Sequence, residues 1–467
     1  MAAPVVIVGA GPAGLACAGR LAAHGVETVV IDDNRQPGGQ YFRQLPGTFR
    51  VAASAPLARD QARAEALIAA LDSKLVTYWP ETTVWAGPDK SALAYAGPRG
   101  SGRMAARAIV VAAGAYDRPL PFHGWTLPGV ITAGGCLNLI KGQGMIPGGR
   151  IGLVGNGPLL LVVAYTLLRA GARVVMIAEA ARLARLLRAL PALASAPNLL
   201  WKGMTYREAI RRARVPLLHG HVAVAAEGGQ RIESVTVAPV AADGTPRSGG
   251  RRRFELDTLV TGYGLAPSNE LTRLLGCRHV FAPQEGGWVP VRDDDFATSV
   301  PGVYAIGDCA GIGGAEIALL EGAALADRLA SRPTGSIRAR LRRYDLFRRA
   351  LSAAYATAGP LWPADAETIV CRCEELTLSG LQEAASASPP DLSAFKSMTR
   401  VGMGRCQGRN CLHSAAYILA AAHGLKPGAL ELPRSRAPAR PVPIADLMEE
   451  TLGPAREPDT VDRIFQS

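Results

Sequence analysis

The run Val5-Val6-Ile7-Val8, followed at once by Gly9-Ala10-Gly11-Pro12-Ala13-Gly14, constrains this chain more than any other stretch. An apolar strand, a glycine turn and an alanine-rich helix reaching about His24 predict a βαβ unit whose second strand, Glu27 to Ile31, ends on Asp32. Gly9 permits the tight turn and Gly11 lets backbone amides approach a pyrophosphate. Gly14 lets helix and strand pack closely, and the helix opening at Pro12-Ala13 favours an anion at its N-terminus. Asp32, 18 residues after Gly14, is placed to accept ribose hydroxyl protons. The alternative is a glycine-rich structural turn that binds nothing.

A second copy starts at 151, with Ile151 to Val154, Gly155-Asn156-Gly157-Pro158-Leu159-Leu160, a helix through Leu168, and Arg173 to Ile177 followed by Glu179. Two such units predict an α/β chain with two nucleotide-binding-type domains. The second departs from the pattern: Leu160 stands where a third glycine would allow close helix packing. That makes it either a scaffold kept for its shape, a pocket for another adenine nucleotide, or a weakened NAD(P)H site.

Between the copies, Ala105 to Ala115 reads as a strand closing on Gly114, and Asp117 to Gly129 as an interdomain crossing. Residues 215 to 260 carry period-two runs around Val222, Val235 and Leu256, a strand meander. A strand from Thr298 leads through Gly307 into a helix near 315 to 329. Leu341, Tyr344, Phe347, Leu351 and Tyr355 predict an amphipathic bridging helix, which Pro360 and Pro363 end.

The chain has 467 residues and a net charge of +12, but its arginines fall in short pieces with no nucleic-acid-binding pattern around them. Nucleic acid is therefore not expected, and the basic pieces read as solvated faces or as docking surfaces for acidic protein partners. No stretch suits a membrane span, and the first strand starts too early for an ordinary signal peptide. The reading is a soluble, cytoplasmic protein. Eight cysteines are too few for a disulfide scaffold. Cys17, Cys136, Cys277 and Cys309 stand alone and read as core residues. Cys371-Arg372-Cys373 and Cys406-Gln407-Gly408-Arg409-Asn410-Cys411, separated by 32 residues, can bring four thiolates to one metal site.

Further signals carry a resemblance. Gly38-Gly39-Gln40 follows Asp32, and Thr298-Ser299-Val300-Pro301-Gly302-Val303-Tyr304-Ala305-Ile306-Gly307-Asp308 lies far downstream. In these the sequence resembles the two-dinucleotide-domain flavoproteins of the glutathione reductase and thioredoxin reductase group. The resemblance implies FAD in the first domain, with Gly39, Gln40 and Gly114 among its contacts and Gly307-Asp308 at the ribityl-phosphate portion. A redox cysteine pair like that of the disulfide reductases is missing, so disulfide reduction is not expected.

CRCEE and TRVGMGRCQGRNC are similar to the 2Fe-2S domain of the bacterioferritin-associated-ferredoxin type. The resemblance assigns Cys371, Cys373, Cys406 and Cys411 to the cluster, with Arg372, Arg405, Arg409 and the amides of Gly402, Gly404 and Gly408 stabilising its negative charge. Zinc, or unpaired thiols, are the alternatives.

GGQYFRQ, AAGAYDRPLPFHGWTLPGV, GNGPLLLVVAYTLLRAGARV and TGYGLAPSNELTRLLG extend the resemblance to about residues 4 to 425. The chain is similar to the α-type flavoprotein subunits of heteromeric amine dehydrogenases, such as the opine oxidase large subunit, hydrogen cyanide synthase B-type subunit and D-hydroxyproline dehydrogenase α subunit. That implies an oxidase-like flavoprotein β subunit that oxidises the C-N bond, a small third ferredoxin-like subunit, and an FMN at a subunit interface.

No substrate base or nucleophile stands out in this chain, so no catalytic residue is assigned, and His123 reads as structural. The expected domains are 1–118 with 265–330 for FAD, 119–264 for the degenerate nucleotide fold, 331–366 for a helical linker, 367–425 for the cluster and 426–467 for an extended tail. The rival readings are a self-contained NAD(P)H-dependent reductase and a structural nucleotide-binding subunit.

Overall fold

The computed structural model describes residues 3–46, 55–89, 91–241, 244–356 and 364–452. Pro360, Pro363 and the last fifteen residues of the tail lie outside them.

Strand Val5–Val8 sits at the middle of a five-stranded parallel sheet, between Thr28–Ile31 and Ala108–Val111, with Val76–Trp79 and Val303–Ala305 at the edges. Both faces are covered, which is why these strands read as continuous Val/Ile runs. Helix Pro12–Ala23 packs along helix Ala315–Leu329 on one face, and Arg20 clamps Asp327 across the pair with bonds of 2.5 and 2.8 Å. The second sheet repeats the design in the order Leu217–His219, Val174–Glu179, Ile151–Gly155, Thr258–Gly262, Val130–Thr132, all parallel. Two antiparallel strands, Ala115–Asp117 and Leu265–Pro267, carry the chain between these sheets and pair with each other.

The strand expected over Ala105 to Ala115 is split. Ala108–Val111 belongs to the first sheet and Ala115–Asp117 to the crossover, because the chain turns at Gly114, whose φ is +69°. In the meander, His221–Glu227, Ser234–Pro239 and Arg252–Glu255 form an antiparallel sheet. Leu256 is not in a strand; it is buried in the core between that sheet and Thr258–Gly262. The expected strand from Thr298 is confined to Val303–Ala305. The bridging helix spans Gly335–Tyr355.

The cysteine-bearing segment is a hairpin, Ile369–Cys371 with Leu376–Thr377, and helices Leu378–Ala387, Leu392–Thr399 and Leu412–Ala422. Its core includes Trp288 from the hairpin that precedes Thr298, so it is docked on the rest of the molecule. Trp125 Nε1 donates to the Ile369 carbonyl at 2.6 Å, and His123 lies 3.1 Å from Asp365. His123 thus meets the chain just ahead of the cysteine-bearing hairpin. The tail is not wholly extended: Ile444–Leu452 is helical, because Leu447 packs against Trp85, Ala86, Ala94 and Ala96.

Candidate functional site

A pocket of about 1560 Å³ runs between the two parallel sheets and reaches the cysteine-bearing segment. Gly9, Gly11, Pro12, Ala13, Asp32, Gly39, Gln40, Gly114, Gly307 and Asp308 all line it. Gly14 lies beneath, where a Cβ would sit 1.9 Å from the Gly9 carbonyl oxygen. The same construction at Gly11 meets nothing within 4 Å. One glycine therefore serves the helix–strand contact and the other leaves room for a ligand. Gly39 holds φ +60° against Gly11, and Gly38 N–H donates to the Ala10 carbonyl at 2.8 Å, so the two loops form one cradle.

Of the carboxylates that line this pocket, Asp32 and Asp308 are the two expected at a cofactor. Asp32 accepts from Ala10 N–H at 2.5 Å and from the Asn34 amides at 2.7 and 2.8 Å. Asp308 accepts from the Gly313 and Gly314 amides at 2.9 Å each, at the start of helix Ala315–Leu329. Burial pushes the pKa of both upward, and their amide donors oppose it. Each is short of solvent and suited to hydroxyl donors, the chemistry of a ribose or ribityl chain. The residues fit FAD on these grounds.

Sequence reading missed what holds Gly307. Its amide donates to Glu321 at 2.7 Å, and Arg292 pairs with both Glu321 oxygens at 3.0 and 2.7 Å. The available signal was a charged residue on an otherwise apolar helical face, with Ala318 and Leu325 buried beside it.

The four clustered thiols converge. Cys411 interacts with Cys371 and Cys406, and Cys406 with Cys373. The Cys411 thiol lowers the Cys371 pKa to about 6 and the Cys406 pKa to about 5, with the amides of Gly402 and Gly408 adding to the effect. Cys373 and Cys411 shift upward. At Gly404 a Cβ would lie 2.2 Å from Cys373 Cβ, so only glycine fits. Among the described residues no three His, Cys, Asp or Glu side chains already stand as an open metal-ion site. The donor set, four thiols with backbone N–H groups aimed at them, fits a polyanionic cluster or zinc.

Arg409 has a second partner that the sequence did not indicate. It pairs with Glu270 at 2.8 Å on the pocket wall while also donating to the Cys406 carbonyl at 3.3 Å, so it links the cysteine loop to that wall. His413, Ser414 and Tyr417, just after Cys411, line the same wall. Cys17, Cys136, Cys277 and Cys309 are all buried, as core residues should be. In the basic bridge, Arg338 pairs with Asp295, Arg348 with Glu285 and Asp345, and Arg349 with Asp345.

Leu160 does not prevent helix packing in the second unit. It is fully buried and packs over Gly262 at the end of strand Thr258–Gly262, where a Cβ would lie 3.6 Å from Leu160 Cδ1. Gly157 starts the helix with φ +126°. No helix among the described residues is long and apolar enough to cross a membrane.

Residues 3–324 match the family described as pyridine nucleotide-disulphide oxidoreductase. Over 95% of its length the chain is 36% identical to the A subunit of opine oxidase from Rhizobium meliloti (strain 1021), covering 98% of that protein. It is 32% identical to the hydrogen cyanide synthase subunit HcnB of Pseudomonas protegens, covering 94% and 96% of the two chains. The structure of L-proline dehydrogenase from P. horikoshii shares its fold, with TM-score 0.69, 19% identity, and coverage of 95% of this chain and 79% of that one.

Proposed function

Because this chain belongs to the pyridine nucleotide-disulphide oxidoreductase family, and within it to the group that holds HcnB and the A subunit of opine oxidase, we propose that it is the electron-transfer subunit of a heteromeric dehydrogenase. Its flavin-dependent relatives are subunits by name, and the complex oxidises the CH-NH bond of an amino acid or opine. The amine is oxidised in a cytoplasmic partner, an oxidase-like flavoprotein β subunit, and an interface FMN and a small ferredoxin-like subunit complete the assembly. In this reading the fold divides at 118/119 and 264/265, beside the paired crossover strands, with the linker at 331–366 and the cluster domain at 367–425.

The observation that carries the proposal is the shared pocket. The cradle Gly9 to Gly14, Gly39, Gln40 and Asp308 faces the same space as Arg409, His413 and Tyr417, which adjoin Cys406 and Cys411. FAD held by this cradle would supply two-electron chemistry, and a 2Fe-2S cluster held by Cys371, Cys373, Cys406 and Cys411 would supply one-electron chemistry. This chain's residues supply the setting. Gly9 to Gly14 present amides to the pyrophosphate, Asp32 accepts from the adenosine ribose, and Asp308 accepts from the ribityl chain. Gly114 and Gln40 border the cofactor, and the docked cysteine segment shields the route between the two centres from water.

The test is reconstitution. The chain expressed alone should give no amine:dye reductase activity and should gain it with a co-encoded oxidase-like flavoprotein. Turnover by the chain alone, with no second polypeptide in the mass spectrum, overturns the proposal. Extraction of bound nucleotide should give FAD; an adenine nucleotide without flavin favours the structural-subunit reading, and flavin bleaching by NADH favours the reductase reading.

A further inference from the structure

The second dinucleotide fold keeps a glycine turn and an acidic strand end that the relay does not use. Gly157 has nothing within 4 Å of its missing Cβ, so its turn is still open for close approach. Glu179 ends strand Val174–Glu179, where a fold of this kind places the carboxylate for a ribose diol. That carboxylate is 0% exposed, and neither oxygen receives an aligned hydrogen bond among the described residues. An ionised carboxylate only accepts, so a buried one without aligned donors is an incomplete site.

Glu179 is covered from two sides, by a neighbouring strand and by the linker helix. His219 Nδ1 lies 3.0 Å from Glu179, and the other neighbour is the phenol of Tyr355, the last residue of helix Gly335–Tyr355. Asn156, in the middle of the glycine turn, donates its side-chain amide to the Tyr355 carbonyl at 2.8 Å. Arg185 donates to the carbonyl of Ala356, and helix Leu183–Leu193 packs along the linker helix. One tyrosine thus spans the turn and the acid, the two ends of the path a nucleotide's phosphate and ribose would follow. It is not free to swing out, because the same helix is held by Ile337 in the first core and by the Arg348–Glu285 pair at 3.2 Å.

We propose that Tyr355 stands in for the adenosine half of a dinucleotide. It is the specificity-determining residue that closes the second domain to pyridine nucleotides, and its removal uncovers an adenosine-ribose site on Glu179. The inference rests on the relay reading for its meaning, since it explains why hydride does not enter through this domain. Its geometry is independent of that reading.

The experiment titrates the full-length chain with NADH and with ADP-ribose, reading binding by calorimetry and flavin reduction by absorbance separately. Wild type and Tyr355→Phe, which keeps the ring, should show no saturable binding. Tyr355→Ala should bind ADP-ribose at least about tenfold more tightly than wild type, and adding Glu179→Gln should remove the gain. Asn156→Ala, which frees the helix end from the turn, is the second route to the open state. Failure of every folded opening variant to bind overturns the proposal, as does saturable binding by wild type. Wild-type binding that leaves the flavin oxidised sinks the closure alone, whereas binding with bleaching sinks the relay reading too. Wild type that binds no nucleotide and gives no dye reduction with its partner, while the opening variants bind, sinks only the relay.

Discussion

The amide of Gly307 is held by the carboxylate of Glu321, 2.7 Å away and fourteen residues along the chain. Arg292 neutralises that carboxylate through two further bonds, so a buried ion pair positions the turn that leads to Asp308. Arg292→Ala leaves Glu321 buried without its cation and should cost about 3–5 kcal/mol of stability. Denaturant unfolding checks the cost. The purified variant should also carry less flavin, and an unchanged midpoint with full flavin content contradicts the role given to the pair.

Gly11 and Gly14 should separate binding from folding. A methyl at Gly14 drives into the Gly9 carbonyl oxygen, so Gly14→Ala should destabilise the fold by ~1–3 kcal/mol or more. A methyl at Gly11 meets no protein atom within 4 Å but enters the pocket. Gly11→Ala should therefore melt like wild type once cofactor is stripped from both, while retaining little FAD. Equal losses of stability in the two stripped variants count against the assignment.

The clamp across helices Pro12–Ala23 and Ala315–Leu329 predicts a pH dependence. Bonds from Arg20 and His24 hold the Asp327 pKa below its ordinary value although burial opposes them. Its contribution is complete above the unfolded carboxylate pKa, about 3.9, and is lost as pH falls through the depressed native value. Asp327→Asn should lower the melting temperature at neutral pH, and the gap from wild type should narrow only below about pH 4. A gap constant down to pH 3 rules out the ionised clamp.

For the cysteines, anaerobically purified protein should contain iron and acid-labile sulfide at about two each per chain. Cys406→Ser should abolish the visible cluster absorption. Stoichiometric zinc without sulfide gives the site to the metal alternative.

The first glycine turn was legible because its signal is local. Gly9 at φ +112°, and Gly14 against the Gly9 carbonyl, are demands that only glycine meets, and they recur wherever strand and helix meet this way. Helix 315–329 was legible from its place after the Gly307 turn, and helix 335–355 from apolar spacing. The split at Gly114, the placement of Leu256 and the helix at Ile444–Leu452 were not, since each depends on which sheet lies alongside.

The amino-acid sequence by itself determined that this chain builds two βαβ units and carries a four-cysteine segment after them, because turn geometry and strand or helix period act over a few residues. Only the tertiary structure decided that Arg409 joins the Cys406 loop to Glu270, that Glu321 holds Gly307, and that Asn156 of the second turn bonds the Tyr355 carbonyl. Asn156 and Tyr355 are 199 residues apart. No local pattern encodes such a contact: two distant residues meet only once the packing of the sheets and linker helix has placed a donor beside an acceptor.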